Sequence, residues 1–338
     1  MTTIAFFNNK GGVGKTSLVY HLAWMFAELG QKVVVADLDP QANLTSMFLS
    51  EERQEQLWAP GDDRQTIWSS VKPLYRNTGD IAGPFLEPIS DRIRLIAGDL
   101  ALSRFEDKLS QAWMNSADGD EGALRTVSSF GRIIKRTAEQ TAAGVTLIDV
   151  GPNLGAINRA ALIAADYVIV PLSPDLFSLQ GLRNLGPTLR EWRSGWLRRR
   201  DRLDAPGLWL PDGKIEPAGY ILMRHSVRLD RAVKAFDRWM RKVPGAYRVD
   251  LLQEEAADPN LTSEVDPYCL GRLKDYRSLM AMAQEVNKPM FALRPADGAI
   301  GGHQAAVIGC YQDFKALAEK IAERCDIEVW DPLGDLLA

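Results

Sequence analysis

Short apolar runs alternate along this chain with longer stretches in which apolar residues recur at helical spacing. Thr3 to Phe7 is the first such run, too short for a helix and suited to a buried strand. Leu18, Leu22, Met25, Phe26 and Leu29 follow at intervals of three and four, which predicts a helix packed against that strand. Gly30 supplies a C-cap, and Lys32 to Asp37 predicts a second strand buried on both faces. The alternation continues. Strands are expected at Ile93–Ile96, Val145–Asp149, Asp166–Leu172, Ala218–Met223 and Tyr268–Leu273. Helices are expected from Leu100 to about Met114, near 123–140, and from Gly301 to Glu323, where Tyr311, Phe314, Leu317 and Ile321 share one face. Strand and helix in turn predict an α/β fold with a mainly parallel sheet flanked by helices. No internal repeat and no clear linker divides the chain, so one domain is expected over residues 1–338.

Other stretches are less regular. Residues 44–92 hold Glu51 to Gln56, a solvated helical face, and the turn Pro60-Gly61-Asp62-Asp63. The acidic run Asn115 to Gly122 lacks the acid spacing and closing glutamate of a calcium loop, so it reads as an exposed loop.

Composition narrows the function classes only a little. The 338 residues carry a formal charge of −4, which argues against a wholly basic nucleic-acid binder and leaves room only for a local patch. Cys269, Cys310 and Cys325 are far apart, without Cys-x-x-Cys spacing, and fit reduced thiols of a cytosolic protein. Residues 1–8 run directly into the first strand, so neither a secretory leader nor a preceding DNA-reading helix-turn-helix is expected. No apolar run is long enough to span a membrane.

The chemistry lies between the first strand and the first helix, in Asn8-Asn9-Lys10-Gly11-Gly12-Val13-Gly14-Lys15-Thr16-Ser17. A strand, a glycine-rich turn and a helix start form an anion cradle: glycines let backbone N–H groups close on phosphate, and the helix N-terminus adds partial positive charge. In this P-loop pattern Lys15 reaches the outer phosphates and the Thr16 hydroxyl ligates Mg²⁺. Asn9 stands where the first glycine usually falls. Lys10 has two readings, a solvated charge or a second cation for phosphate.

Two further strand ends join this loop. The second strand delivers Asp37-Leu38-Asp39-Pro40-Gln41-Ala42-Asn43, and Val145 to Asp149 delivers an acid suited to holding Mg²⁺. Asp37 and Asp39 could alternatively be turn and cap residues, but a βαβ unit returns their loop to the phosphates.

Lys10-Gly11-Gly12-Val13-Gly14-Lys15-Thr16 resembles the deviant Walker A motif of the ParA/MinD ATPases, a single P-loop NTPase domain. The segments 37–43, 145–152 and 173–182 resemble the same family, with the loop after Asp149 modestly varied. The resemblance implies that Gly11, Gly12, Val13, Gly14, Lys15, Thr16, Ser17 and Asn43 bind ATP, with Lys10 reaching the opposing subunit's nucleotide in a dimer. It implies that Asp39 orients the attacking water, that Lys10 and Lys15 assist catalysis, and that Thr16, Asp39 and Asp149 serve the metal. Asp275 to Pro289 resembles the stretch near adenine but lacks its proline, so no adenine contact is assigned.

The implied cycle is Mg²⁺-dependent ATP hydrolysis, slow and stimulated by a ParB-like adaptor. An ATP-bound homodimer would bind DNA nonspecifically and segregate plasmid or chromosomal DNA, or position cargo, in the cytoplasm on the nucleoid. Residues 190–248 are basic, and Arg238, Arg241, Lys242 and Arg277 are candidate DNA contacts, although a solvated helical face explains such charge equally well. Residues 187–217 read as a family-specific insertion. Rival readings are a regulatory or defence switch acting through a protein partner and a MinD-like membrane-positioning ATPase. The acidic tail argues against stable membrane association, and the late cysteines fit poorly with a reductase that shares an iron–sulfur cluster between subunits.

Overall fold

In a computed structural model the structure describes residues 1–330 except 60, 62–63, 204–206, 226–237, 256–257, 259 and 277. Its strands are β1 (Thr2–Phe6), β2 (Val33–Asp37), β3 (Glu87–Pro88), β4 (Ile93–Ile96), β5 (Val145–Asp149), β6 (Tyr167–Leu172), β7 (Glu216–His225) and β8 (Cys269–Lys274). They form one eight-stranded sheet in the order β3-β4-β2-β5-β1-β6-β7-β8. Every pairing is parallel except β3 with β4.

Helices cover both faces, and this explains why the central strands are apolar throughout. Every residue of β2 and β5 is buried, because a parallel sheet covered on both sides offers no solvent face. One core layer holds Leu109, Phe130, Ile133, Leu162 and Trp196 from four helices: Phe105–Asn115, Ser129–Thr141, Ala156–Ile163 and Leu176–Arg200. The other holds Leu22, Phe26, Phe314 and Ile321, from α1 (Lys15–Glu28) and the helix Gly302–Arg324. The helical apolar spacings therefore face the core as expected.

Topology positions the site. β1 lies between β5 and β6, so chains leaving its neighbours diverge there, the place where open α/β sheets bind ligands beyond their C-terminal strand ends. Phe6 of β1 and Asp37 of β2 are both in register with Asp149 of β5. The P-loop and the two acids thus emerge at one level.

One expectation takes a different shape, and the stretch after 187 gains one. Residues 187–200 are the second half of the continuous helix Leu176–Arg200, and a loop then leads to β7. That helix passes the segment Tyr247–Leu252 so closely that a Cβ on Gly186 would lie 1.9 Å from the Asp250 carbonyl oxygen. The helix expected near 123–140 is two, Glu121–Val127 and Ser129–Thr141, meeting at Ser128. Residues 226–237 of the basic stretch lie outside the described residues, as does Arg277. Cys269, Cys310 and Cys325 are free thiols, and all three are buried.

Candidate functional site

The P-loop folds as its glycines require. Gly12 and Gly14 have φ of 73° and 95°, a left-handed region that glycine enters without steric cost. Gly14 is the residue before α1, and its carbonyl accepts from Leu18 N–H at 2.9 Å. A Cβ on Gly11 or Gly12 would meet nothing within 4 Å, so this backbone borders open space. That space is a cavity of about 620 Å³ lined by residues 10–17 together with Asp39, Gln41, Asn43 and Pro152.

Beneath its floor Lys15 and Thr16 converge on buried Asp149. The Lys15 ammonium pairs with Asp149 Oδ1, and the Thr16 hydroxyl donates to Asp149 Oδ2 at 2.8 Å. Burial pushes the Asp149 carboxyl up from its ordinary range, while Lys15 and Thr16 pull it back. Asp37 beside it is fully buried and pushed up to about 7, first by burial and then by the charge of Asp149, its register partner. Thr45 N–H and hydroxyl both donate to Asp37 Oδ2, at 2.8 and 2.7 Å, while Oδ1 has no partner. Asp37 therefore supports the start of α2 (Asn43–Phe48) and does not line the cavity. Asp39 does, with Oδ1 held by Gln41 N–H at 3.0 Å. The turn places Ala42 at φ 52°, a strained value for a side-chain-bearing residue, and Asn43 opens α2 at the cavity wall.

Lys10 also lines the cavity, but its ammonium is engaged within this single chain. Its ammonium pairs with Asp175 and stands 6.0 Å from the Phe177 ring centroid.

The opposite wall comes from late in the chain. Met280, Ala283, Gln284, Asn287 and Lys288 complete the large cavity. The family resemblance marks this stretch but assigns no residue in it to the nucleotide. Positions 280, 283, 284 and 287 stand at i, i+3, i+4 and i+7, a helix-face signal that singles them out. A second cavity of about 300 Å³ shares Val13, Gly14, Ser17, Met280 and Gln284, and adds Met223, Leu273, Tyr276 and Phe314. His21 ties this wall to α1. Its Nδ1 lies 2.7 Å from the Ser17 carbonyl oxygen, and Nε2 accepts from Met290 N–H at 3.0 Å. Burial lowers its pKa to about 4, so a neutral ring donates through Nδ1 and accepts through Nε2.

Among the described residues of the basic stretch, several cations are engaged within the chain. Arg190 donates to the Leu251 carbonyl, Arg200 pairs with Asp212, and Arg248 pairs with Glu254 and Asp266. Arg199 stacks on Trp113, and Arg202 donates to the Ala117 carbonyl. Arg238 and Arg241 are exposed, and Lys242 lies 5.0 Å from the Trp239 ring centroid. These three stand apart from the cavity lining.

The donor set fits a nucleotide with Mg²⁺. Open glycine backbone at a helix N-terminus suits phosphate, and Thr16 with carboxylates offers the hard oxygen ligands Mg²⁺ prefers. Among the described residues no cluster of three or more His, Cys, Asp or Glu side chains could hold a metal, so such an ion would take further oxygens from phosphate and water.

A family model described as an AAA domain matches residues 1–199. The chain is 36% identical to protein IncC of Escherichia coli over 193 residues, 57% of this chain and 47% of that protein. It is 30% identical to the chromosome-partitioning ATPase Soj of Thermus thermophilus over 214 residues, 62% of this chain and 70% of that one. It therefore spans about half the length of IncC. Among solved structures, a Corynebacterium diphtheriae protein superposes with a TM-score of 0.68 at 23% identity, covering 96% of this chain and 98% of that one. A Borrelia burgdorferi plasmid partition protein bound to AMPPNP gives 0.60 at 17% identity, covering 96% and 99%. At these identities the structures show a shared fold. With Asp39 at the cavity wall, Asp149 against Lys15 and Thr16 of the P-loop, and this family match, the chain belongs to the AAA-domain family of ParA/MinD type.

Proposed function

We propose that this chain is an Mg²⁺-dependent ATPase that dimerises on ATP, binds DNA without sequence preference, and moves DNA or other cargo in response to an adaptor protein. The observation that carries the reading is the convergence of Lys15 and Thr16 on Asp149 beneath open glycine backbone, with Asp39 on the same cavity wall. The phosphates lie along residues 11–17, and the base enters the smaller cavity beside Met223, Leu273 and Tyr276. Thr16 and Asp149 hold the metal side, assisted by Asp39, and Mg²⁺ when bound neutralises charge on the phosphates. Lys15 neutralises the outer phosphates, and Asp39 orients water for attack on the terminal phosphorus, releasing ADP and phosphate. Positioning and charge neutralisation supply most of the catalysis. Lys10 completes the partner's site in the dimer. Arg238, Arg241, Lys242 and Arg277 contribute to the DNA surface, so the ATP-bound state collects on the nucleoid in the cytoplasm.

A relative's name supports the partition role: chromosome-partitioning ATPase for Soj of Thermus thermophilus. A second reading, a nucleotide switch acting on a protein partner, is favoured by the internal pairing of Arg190, Arg199, Arg200, Arg202 and Arg248, which leaves fewer cations for phosphate. No described helix is long and apolar enough to cross a membrane.

The test combines phosphate release, light scattering and duplex binding, each with and without ATP and Mg²⁺. ATP-dependent dimers that bind unrelated duplexes support the carrier reading. Dimers that hydrolyse ATP and ignore DNA at low salt select the switch, and absence of hydrolysis under every condition rejects both.

A further inference from the structure

Glu106 does not line the nucleotide cavity, yet both of its carboxylate oxygens engage the backbone just beyond the loop that leaves β5. Oε1 accepts from Ala156 N–H at 2.5 Å and Oε2 from Ile157 N–H at 2.9 Å. These donors open the helix Ala156–Ile163 and have no partner within it, and a carboxylate there also meets the positive end of the helix dipole. The residue before that helix, Gly155, has no side chain to cap it. A Cβ there would stand 2.6 Å from Glu106 Oε1, so glycine leaves room for a cap delivered from another helix.

Asn158 secures the same loop from the other side. It is 1% exposed, and its Nδ2 donates to the carbonyls of Gly151 at 2.8 Å and Asn153 at 2.6 Å. The Asn153 side chain accepts from Gly155 N–H at 2.9 Å. The inner end of the loop faces the reaction centre: Pro152 lines the cavity, and a Cβ on Gly151 would lie 3.5 Å from Asp39 Oδ1.

The helix that carries Glu106 is itself anchored. Near its far end the Trp113 ring lies 4.5 Å from the Arg159 guanidinium and 3.8 Å from that of Arg199. Arg199 Nε also donates to Ser116 Oγ at 3.0 Å. Arg199 belongs to Leu176–Arg200, whose N-cap Asp175 holds Lys10. The loop beside Asp39 and the ammonium of Lys10 are therefore tied to one helical scaffold.

We propose that Glu106 is a positioning residue for hydrolysis: by capping the helix after β5 it sets how the loop 151–155 stands against Asp39, and so governs turnover without governing nucleotide affinity. The proposal rests on the ATPase reading above. A cap with a purely structural role would change thermal stability and leave turnover intact, so the two roles separate.

The experiment compares the full chain with Glu106→Gln and Gly155→Ala. The second variant places a methyl group 2.6 Å from Glu106 Oε1 and 2.8 Å from Asn153 Oδ1 and keeps the Glu106 carboxylate's chemistry; Gly155 has φ −78°, which alanine adopts readily. Turnover number, affinity for a slowly hydrolysed ATP analogue by calorimetry, and melting temperature are measured on each, with turnover read well below melting. Both variants are expected to lose turnover about ten- to a hundredfold, the scale of a small misplacement at a reaction centre, with affinity within about twofold of wild type. If Glu106→Gln does not fold, Glu106→Asp, which keeps the charge and shortens its reach to the helix start, takes its place beside Gly155→Ala, whose methyl also crowds Asn153 Oδ1. Earlier melting with unchanged turnover overturns the proposal, as does an affinity loss that accounts for the whole effect. A wild-type chain that hydrolyses no ATP removes the underlying reading, a result distinct from unchanged turnover in the variants.

Discussion

The Lys10 ammonium and the Asp175 carboxylate pair at 2.5 Å, while the other oxygen of Asp175 accepts from Ser178 N–H at 2.9 Å and caps the helix Leu176–Arg200. One carboxylate thus holds the P-loop's extra lysine and starts the longest described helix. Both partners are only about one-third exposed, so the contact is more than a fully solvated surface pair.

Lys10 cannot serve a neighbouring nucleotide while Asp175 holds it. Asparagine caps a helix about as well as aspartate but carries no charge. Asp175→Asn is therefore expected to fold normally and to raise ATP-dependent dimerisation several-fold in light scattering. Lys10→Ala should keep nucleotide binding and lose dimerisation. A weaker dimer in Asp175→Asn would assign the aspartate to the interface itself.

Lys15 and Asp39 should separate binding from chemistry. Lys15→Ala removes the main cation of the cradle and leaves buried Asp149 without its ion-pair partner, so calorimetry should find ATP binding abolished. Asp39→Ala should bind ATP and fail to hydrolyse it, accumulating dimer. Wild-type phosphate release from Asp39→Ala would reassign the water-orienting role.

His21 makes acid stability a readout of its bridge. Its pKa falls from 6.5 to about 4 on folding, so between these values the unfolded chain binds a proton that the folded chain refuses. Stability should be unaffected by His21 above pH 6.5 and decline as pH falls toward 4, by about 3 kcal/mol in total. His21→Gln cannot titrate. The wild-type urea midpoint should therefore fall relative to that of His21→Gln toward acid pH, and parallel curves would mean that His21 is not held neutral.

Charge reversal at Arg238, Arg241 and Lys242 should weaken duplex binding by the ATP-bound dimer and lower its salt slope by about one for each phosphate no longer neutralised. Dimerisation should persist, because these positions lie outside the cavity lining. Polarisation titrations over a range of salt would measure both. An unchanged slope moves the DNA surface elsewhere.

The parts legible in the sequence were those whose physics is local. Gly12 and Gly14 take their left-handed turns, and Lys15 follows them within one contiguous loop, so spacing alone specified the cradle. Val33–Asp37 and Val145–Asp149 are apolar runs ending in an acid, and a parallel sheet brings such ends together in register. What the tertiary structure alone decided depends on contacts between distant segments. Lys10 and Asp175 are 165 residues apart, Glu106 and Ala156 are 50 apart, and His21 and Met290 are 269 apart. No local periodicity encodes which side chain meets which across such distances. The arginines of 190–202 show the same limit: they read as free positive charge, and only packing against Trp113, Asp212 and backbone carbonyls determined how much of it remains for a partner.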